Sequence, residues 1–181
     1  MGDAEPESHT DRVLSVLQDR LAPARSAVAA SWRRSLTLYG LDPSQSRPPE
    51  TVTETQLRLA REEMDLLLRA GQGPLDRLFQ TVVAAGCCVL LTNREGVPVD
   101  RRGVAADDDE FHRLGLWPGA VWSEACEGTN GIGTSLAEGR ALTIHHDQHF
   151  RSRYTRLSCS VAPVYDPQGE LAGALDVSSC R

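Results

Sequence analysis

The first half of the chain carries its apolar residues at helical spacing. Four of them recur from residue 11 onward: Val13, Leu14, Leu17 and Leu21. The spacing resumes after Pro23, which either starts a second helix or kinks the first, and it continues to Tyr39. Gly40 is expected to end this helix with a positive φ, and the proline-rich segment 41–50 is expected to form a linker. Residues 1–50 are therefore predicted to be a helical extension with its linker.

A second helical region follows the linker. Thr53 and Gln56 fit a capping box at its start. An amphipathic stripe then continues to Ala70 through Leu57, Ala60, Met64, Leu67 and Leu68. Residues 71–73, with two glycines, should interrupt the helix, and Pro74 should open another one. Because these helices outnumber what one sheet face can cover, we predict that the stripe meets a second subunit in a homodimer through the N-terminal helices.

Short apolar runs in the second half of the chain predict strands. Five are expected, at Cys87–Leu91, Val97–Arg101, Ala141–Ile144, Arg156–Tyr165 and Glu170–Ser178. Turns at residues 93–96 and 166–169 should join the first pair and the last pair into hairpins. Asp107–Leu114 is expected to be a short surface helix. This order predicts an α+β fold, in which a central antiparallel sheet has N-terminal helices on one face and a layer of loops and helices on the other.

Composition excludes several classes of function. The chain has 181 residues, a net charge of −6 and five cysteines. The negative charge disfavours direct nucleic-acid binding, which needs a basic surface. No apolar run reaches membrane-spanning length, and the acidic start does not read as a signal peptide, so we expect a cytoplasmic protein. The odd cysteine count without paired spacing predicts reduced thiols.

The segment 122–149 holds residues that ordinary packing does not require. A loop with Trp122 and Cys126 leads into a helix that Thr129 or Asn130 can cap. The glycines at 128, 131 and 133 fit neither a phosphate-binding loop nor a dinucleotide-binding turn. Nucleotide binding is therefore disfavoured, whereas an aromatic such as Trp122 is suited to wall a small pocket.

Motifs dispersed along the chain match one family in order. They are Ser31-Trp32-Arg33-Arg34, Trp122-Ser123-Glu124, Gly128-Thr129-Asn130, Ile132-Gly133-Thr134, His149-Phe150, Cys159-Ser160, Ala162-Pro163 and Asp166-Pro167. In the motifs from Trp122 onward the chain resembles the GAF sensor domain of the acetoin-catabolism-regulator family, activators of sigma-54-dependent transcription. Ser31-Trp32-Arg33-Arg34 resembles the segment that precedes that domain in the same family. The resemblance implies a GAF-like domain over residues 51–181, with its leading helices. It also implies that a ligand lies between the sheet and the layer from Asp107 to His149.

Regulators of that family continue into an ATPase domain and a helix-turn-helix. We therefore expect this chain to be an N-terminal piece of a longer regulator or a stand-alone adaptor. The favoured function is a ligand-sensing regulatory domain, and the resemblance implies a small ketone, alcohol or aromatic as its effector. The candidate ligand-binding residues are Trp122, Cys126, Asn130, Ile132, Thr134, His149 and Phe150. No catalytic residue and no cofactor is predicted.

Two rival functions depend on cysteine and histidine. A thiol-based GAF enzyme that reduces free methionine sulfoxide would need two or three thiols at one pocket. A redox or metal sensor would combine Cys126 with His145, His146 and His149, although the resemblance implies no metal there. Cys126 stands where the family often has an acidic residue. We expect it to react with thiol reagents ahead of Cys87, Cys88 and Cys159, because a helix N-terminus lowers a thiol pKa. Cys180, near a chain end, is expected to react as fast.

Overall fold

The computed structural model describes residues 8–19 and 21–180 and folds the second half of the chain into a five-stranded antiparallel sheet. Its strands are β1 (Cys87–Asn93), β2 (Pro98–Arg102), β3 (Leu142–His145), β4 (Ser158–Tyr165) and β5 (Leu171–Ser179). The spatial order β2-β1-β5-β4-β3 places β5 at the centre. All five predicted strands are present, with ends shifted by one or two residues.

Helices surround this sheet on both sides. They are α1 (His9–Ser15), α2 (Ala22–Arg25), α3 (Ala27–Thr37), α4 (Glu54–Glu63), α5 (Asp65–Val82), α6 (Asp108–Leu114), α7 (Glu124–Glu127) and α8 (Gly131–Glu138). The predicted capping box of Thr53 and Gln56 begins α4, and Gly40 follows α3 with φ of 62° as expected. No helix in the described part of the chain is both long and apolar enough to cross a bilayer.

The alternation of side chains along the strands gives the sheet two different faces. On the helix face, Val89, Leu91 and Val99 pack against Met64 and Leu75 of the α4–α5 region. The opposite face, called the inner face here, is covered by α6, α7, α8 and the loop before α7. The predicted α+β architecture is therefore confirmed.

The predicted break at residues 71–73 is wrong. Helix α5 runs without interruption through the two glycines and Pro74, and the chain instead bends at Met64, between α4 and α5. Side chains on both sides of Pro74, including Leu68 and Leu75, pack on the same sheet cluster. Burial of these side chains outweighs the roughly 3 kcal/mol that an interior proline costs a helix.

The apolar stripe that suggested a dimer is used within the chain. Met64 is buried, and Leu57, Leu67 and Leu68 pack partly buried against the helix face. The reason given for a second subunit therefore does not hold for this stripe. The homodimer itself stays a prediction.

The first three helices cover the outside of the loop and helix layer. Pro23 lies in the first turn of α2, and Ser26 caps α3 through the amide of Ala29. Val13, Val16 and Trp32 form an apolar cluster with Phe150. These helices thus form a third layer, and the division of the chain at residue 50 stays a prediction, with residues 1–7 outside the described part.

Candidate functional site

The seven predicted ligand-binding residues do not meet in one pocket. Six are buried and Cys126 is half-buried. Trp122 and Ile132 face the inner face of the sheet, whereas Phe150 packs on the other side of the layer against α1 and α3. His149 and Phe150 are adjacent in sequence but point to opposite sides. These residues therefore do not share one environment.

Trp122 is a core residue of the inner face. Its Nε1 donates to the carbonyl oxygen of Gly115 at 2.7 Å, and its ring packs on Tyr154 with centroids 4.9 Å apart. Ile132 lies in the same apolar cluster. Both side chains stabilise the fold directly, so we expect Trp122→Ala to lower the melting temperature.

Asn130 makes all its side-chain contacts within the protein. Its Oδ1 accepts from the amide of Gly133 at 2.8 Å, which caps α8, and its Nδ2 donates to the carbonyl oxygens of Trp122 and Gly128 at 3.0 and 2.8 Å. The side chain is fully buried. Asn130 therefore caps the helix and fixes the preceding loop.

A buried carboxylate connects this layer to helix α3. Glu124 accepts from Ser31 and Thr134, the latter at 3.0 Å, and its two oxygens pair with Arg34 at 2.8 and 3.0 Å. Thr129 contacts the same Ser31 hydroxyl at 2.6 Å. We call Glu124, Ser31, Arg34, Thr129 and Thr134 the Glu124 cluster. The predicted site residue Thr134 belongs to this cluster, so its hydroxyl is already engaged.

A second buried charge pair anchors the segment before α4. The Arg151 side chain is fully buried, and its Nε lies 3.1 Å from Glu127 Oε2. The two groups form an ion pair, but Nε does not have the geometry of a hydrogen bond. Its Nη2 donates to the carbonyl oxygen of Cys126 at 2.9 Å, and its Nη1 reaches those of Gln45 and Asp42 at 3.3 and 3.5 Å. The predicted linker is thus fixed to the layer by hydrogen bonds.

The environment of Cys126 differs from the predicted one. The residue lies inside the one-turn helix α7, and its thiol contacts Glu50 at 3.0 Å and Arg47 at 3.2 Å. Burial and the hydrogen bond to Glu50 raise its pKa to about 11, with a further contribution from Glu127. The expectation of a lowered thiol pKa is therefore wrong, because burial and two carboxylates outweigh the helix dipole and Arg47.

His149 lies against the sheet. Its Nδ1 is 2.9 Å from the carbonyl oxygen of His146, and its Nε2 is 3.5 Å from the thiol of Cys159. Burial lowers the His149 pKa to about 4. Burial also raises the pKa of Cys159 well above its usual range, so both groups are neutral at physiological pH. The pair lacks the thiolate that nucleophilic catalysis requires.

Asp176 is a buried polar residue that the sequence did not predict to bind a ligand. It lies on central strand β5, on the inner face, between Leu90 of β1 and Val161 of β4. The side chain is fully buried; Oδ2 accepts from Ser178 Oγ at 2.7 Å, and Oδ1 has no hydrogen-bond partner among the described residues. The sequence does contain a signal for this position, because residues alternate between the two faces of a strand. Ala174, Asp176 and Ser178 share one face of β5, and Leu175 and Val177 share the other.

Polar groups of three strands lie around this carboxyl, and His149 lies beyond Cys159. We call the set the Asp176 patch: Asp176, Ser178, Cys88, Cys159 and His149. Above it, Gly131 allows α8 to lie directly on the strands, since a Cβ there would come within 2.6 Å of Cys159. Burial raises the pKa of Asp176 to about 7, against a smaller opposing effect of Ser178.

The arrangement disfavours the thiol enzyme. Cys88 and Cys159 both lie opposite Ser178, on the strands either side of it. Their backbones are thus two strand spacings apart, roughly 10 Å, which exceeds the separation of about 7 Å that a disulfide can bridge. Burial raises the pKa of both thiols. The predicted reductase would need thiolates at this point.

The histidines do not converge on one point. The rings of His145 and His146 lie 6.2 Å apart on the exposed side, whereas His149 is buried beside Cys159. Among residues 8–19 and 21–180, no group of three or more histidine, cysteine and acidic side chains is placed to hold a metal ion.

Two surface cavities lie away from the predicted segment. One of about 680 Å³ opens between the α4–α5 region and the turns at Arg94 and Pro167. The other, of about 500 Å³, is lined by several arginines, among them Arg113, Arg153 and Arg156. Neither is lined by any of the seven candidate residues, so these cavities are separate from the Asp176 patch.

Comparison with known proteins agrees with this architecture. The GAF domain model matches residues 67–181. The acetoin catabolism regulatory protein of Cupriavidus necator is 39% identical over 165 residues, which cover 91% of this chain and 25% of that protein. The acetoin dehydrogenase operon transcriptional activator AcoR of Bacillus subtilis is 27% identical over 157 residues, covering 87% and 26%. The chain thus spans about a quarter of the length of these relatives.

A solved structure supports the fold independently. The crystal structure of the E. coli DhaR(N)-DhaL complex matches with a TM-score of 0.78 at 20% identity, covering 84% of this chain and 51% of that one. The family resemblance read from the motifs is confirmed by the domain match and by the similarity to acetoin regulators. The chain belongs to the GAF domain family.

Proposed function

We propose that this chain is the sensor domain of a cytoplasmic transcriptional regulator and that it binds a small molecule between the inner face and the loop and helix layer. The observation that carries the proposal is the Asp176 patch, a set of buried polar groups in an otherwise apolar core. A packed core needs no such groups, and their burial costs free energy. Ligand sites combine an apolar lining with a few convergent polar groups.

Within this proposal the predicted residues take different roles. Trp122 and Ile132 supply apolar lining, and His149 contributes a neutral imidazole beside Cys159. Asn130 and Thr134 hold the layer in shape through their internal hydrogen bonds. Cys126 and Phe150 lie outside the site and act only on the stability of the layer.

The contacts between the layer and the first three helices supply a route for the signal. Helix α8 lies directly on the strands at Gly131, so a ligand enters by displacing the layer. The Glu124 cluster joins the layer to α3, and Trp32 donates to the carbonyl oxygen of Gln148 at 2.8 Å. A ligand that prefers the displaced state shifts the equilibrium of these helices. We propose that an effector domain reads this shift and that the chain itself does not contact DNA.

Acetoin is the first ligand to test, because two similar regulators carry it in their names. Calorimetric titration of the purified protein with acetoin, then with small ketones, alcohols and phenols, should give one site per chain. The ligand should also raise the melting temperature in a concentration-dependent manner. If no compound of the series binds and none co-purifies with native protein, the sensor proposal fails.

We also propose a homodimer, with a contact different from the stripe that first suggested it. Leu59 and Leu66 are 48% and 72% exposed on α4 and α5 and are free to meet a second subunit. The parent should sediment as a dimer at tens of micromolar, an estimated concentration at which a usefully tight dimer persists. Leu59→Asp with Leu66→Asp should give a folded monomer whose melting temperature no longer depends on protein concentration. A monomeric parent would contradict the proposal.

A further inference from the structure

One oxygen of Asp176 has no role in the fold that the structure describes. Oδ2 is used by Ser178, whereas Oδ1 is buried without a partner. The residue lies on the central strand, where an aliphatic side chain would pack with Leu90 and Val161 at no such cost. A carboxyl group that destabilises the centre of the protein is more simply explained by a role in ligand binding than by a role in folding.

The elements packed around Asp176 supply no cation to it. Strand β1 presents Leu90 and the thiol of Cys88, β4 presents Val161 and the thiol of Cys159, and α8 presents Gly131. His149, beyond Cys159, is held neutral by burial, which lowers its pKa.

The cation in that transverse row does not act on Asp176. Arg101 of β2 lies in the row of Leu90 and Asp176, pairs with Asp108 at 2.8 Å and stacks on Trp117 at 4.4 Å, and its Nε and Nη2 have no hydrogen-bond partner among the described residues. Only burial and Ser178 shift the pKa of Asp176. An anionic ligand at Oδ1 would be repelled by the carboxylate, whereas a hydroxyl group can donate to it.

We propose that Asp176 is the specificity-determining residue of the sensor and that its Oδ1 accepts a hydrogen bond from a hydroxyl group of a small uncharged ligand. This inference rests on the proposed function, because it assigns the polar contact within the same site. It predicts that hydroxyl-bearing compounds bind better than compounds of the same carbon skeleton without the hydroxyl.

The experiment compares two ligands on three proteins. Acetoin and butanone share a carbon skeleton and differ by one hydroxyl group. The parent should bind acetoin at least about 10-fold more tightly than butanone, as expected for a hydrogen bond to a carboxylate. Asp176→Leu, which has no hydrogen-bond acceptor at this position, should lose most of this discrimination. Thr92→Val is the matched control, because Thr92 is also buried on the inner face but its hydroxyl is satisfied by Asn93 and Ala174.

A second readout separates binding from a structural role. At pH 8 the Asp176→Asn protein should melt at a higher temperature than the parent, since it removes a buried charge. Thr92→Val should melt at a lower temperature and keep the preference for acetoin. If Asp176→Leu does not fold, the same titrations on Asp176→Ala decide the question.

The outcomes distinguish the inference from the function on which it rests. Loss of discrimination together with a raised melting temperature supports the role of Asp176. Equal discrimination in the parent and Asp176→Leu overturns it while leaving the sensor function intact. A parent that binds neither these two ligands nor the wider series overturns the proposed function, and the inference with it.

Discussion

The two faces of the sheet are built from different kinds of residue. The helix face joins Val89, Leu91 and Val99 to leucines of α4 and α5, and this contact contains hydrocarbon almost alone. The inner face has an equally buried apolar cluster, but Asp176 and Ser178 lie at its centre. Both faces belong to the same strands, so the contrast indicates that the inner face meets a requirement other than stability. We infer that the helix face provides stability and that the inner face gives up some stability for recognition.

The largest expected effect comes from the helix face. Leu75 is 5% exposed and packs between α5 and the sheet. Leu75→Ala should lower the free energy of unfolding by about 2–5 kcal/mol, because it removes buried methyl groups and leaves a cavity. Ligand affinity, measured by calorimetry on the folded fraction at low temperature, should not change. A loss of affinity in this variant would mean that the two faces are not separate in function.

The second effect is a pH dependence that belongs to the inner face. Burial raises the folded pKa of Asp176 to about 7, above the 3.8 of an ordinary aspartate. A raised carboxyl pKa means that the folded state prefers the protonated form. Its contribution to stability is therefore fully present below about pH 4, is lost as the pH rises to about 7, and is constant above that. Denaturant titrations should show the parent falling relative to Asp176→Asn by roughly 1–4 kcal/mol across this window.

His149 titrates in the opposite direction and needs a control. Its folded pKa is lowered to about 4, so its contribution is present at neutral pH and is lost as the pH falls from about 6.5. The difference between the parent and Asp176→Asn cancels this term, because both proteins retain His149. A difference that does not change between pH 4 and 8 would show that Asp176 is not held in an unfavourable environment.

A smaller effect is expected at Asn130, which belongs to the layer above the inner face. Asn130→Ala removes the cap of α8 and the contacts to the carbonyl oxygens of Trp122 and Gly128. The cap alone contributes about 1 kcal/mol to stability. Affinity should fall as well, because the loop above the site loses its support. Asn130→Ser keeps a capping acceptor oxygen without adding a charge and should recover the cap, so an equal loss in both variants would assign the effect to the Nδ2 contacts.

The smallest effect concerns thiol labelling, which reports how accessible each cysteine is to solvent. Cys126 is half-buried with a raised pKa, whereas Cys88 and Cys159 are buried on the inner face. A maleimide should modify Cys126 slowly and the two inner thiols more slowly still. If the ligand displaces the layer, acetoin should change the labelling rate of Cys159 and leave that of Cys126 unchanged. Faster labelling of Cys88 than of Cys126 in the free protein would contradict the packing.

The helix face was more predictable than the inner face for a physical reason. Apolar periodicity reports burial directly, and it identified Leu57, Met64 and Leu68 as one stripe. It failed at Pro74 because the cost of an interior proline was smaller than the gain from packing the whole helix on the sheet. Rules that use only local sequence cannot compare the cost of the proline with the gain from packing.

The candidate site depended on contacts that no local pattern contains. Asp176 reads as an ordinary polar strand residue until the register pairs it with Leu90. His149 and Phe150 are neighbours that face opposite sides, so membership of one motif did not place them in one pocket. The family resemblance located the layer correctly, whereas the roles of its residues required the three-dimensional contacts.

The buried guanidinium of Arg151 limits which segment of this chain can be transferred to another regulator without loss of stability. Its acceptors include backbone oxygens of Asp42 and Gln45, which precede residue 51. A chimera that took its sensor from residue 51 or 67 onward would leave this guanidinium short of acceptors in the interior and would strip Glu124 of Ser31 and Arg34. Because breaking buried ion pairs is strongly destabilising, we expect the transferable unit to include α3 and the segment after it, ahead of the stretch that carries the family signature.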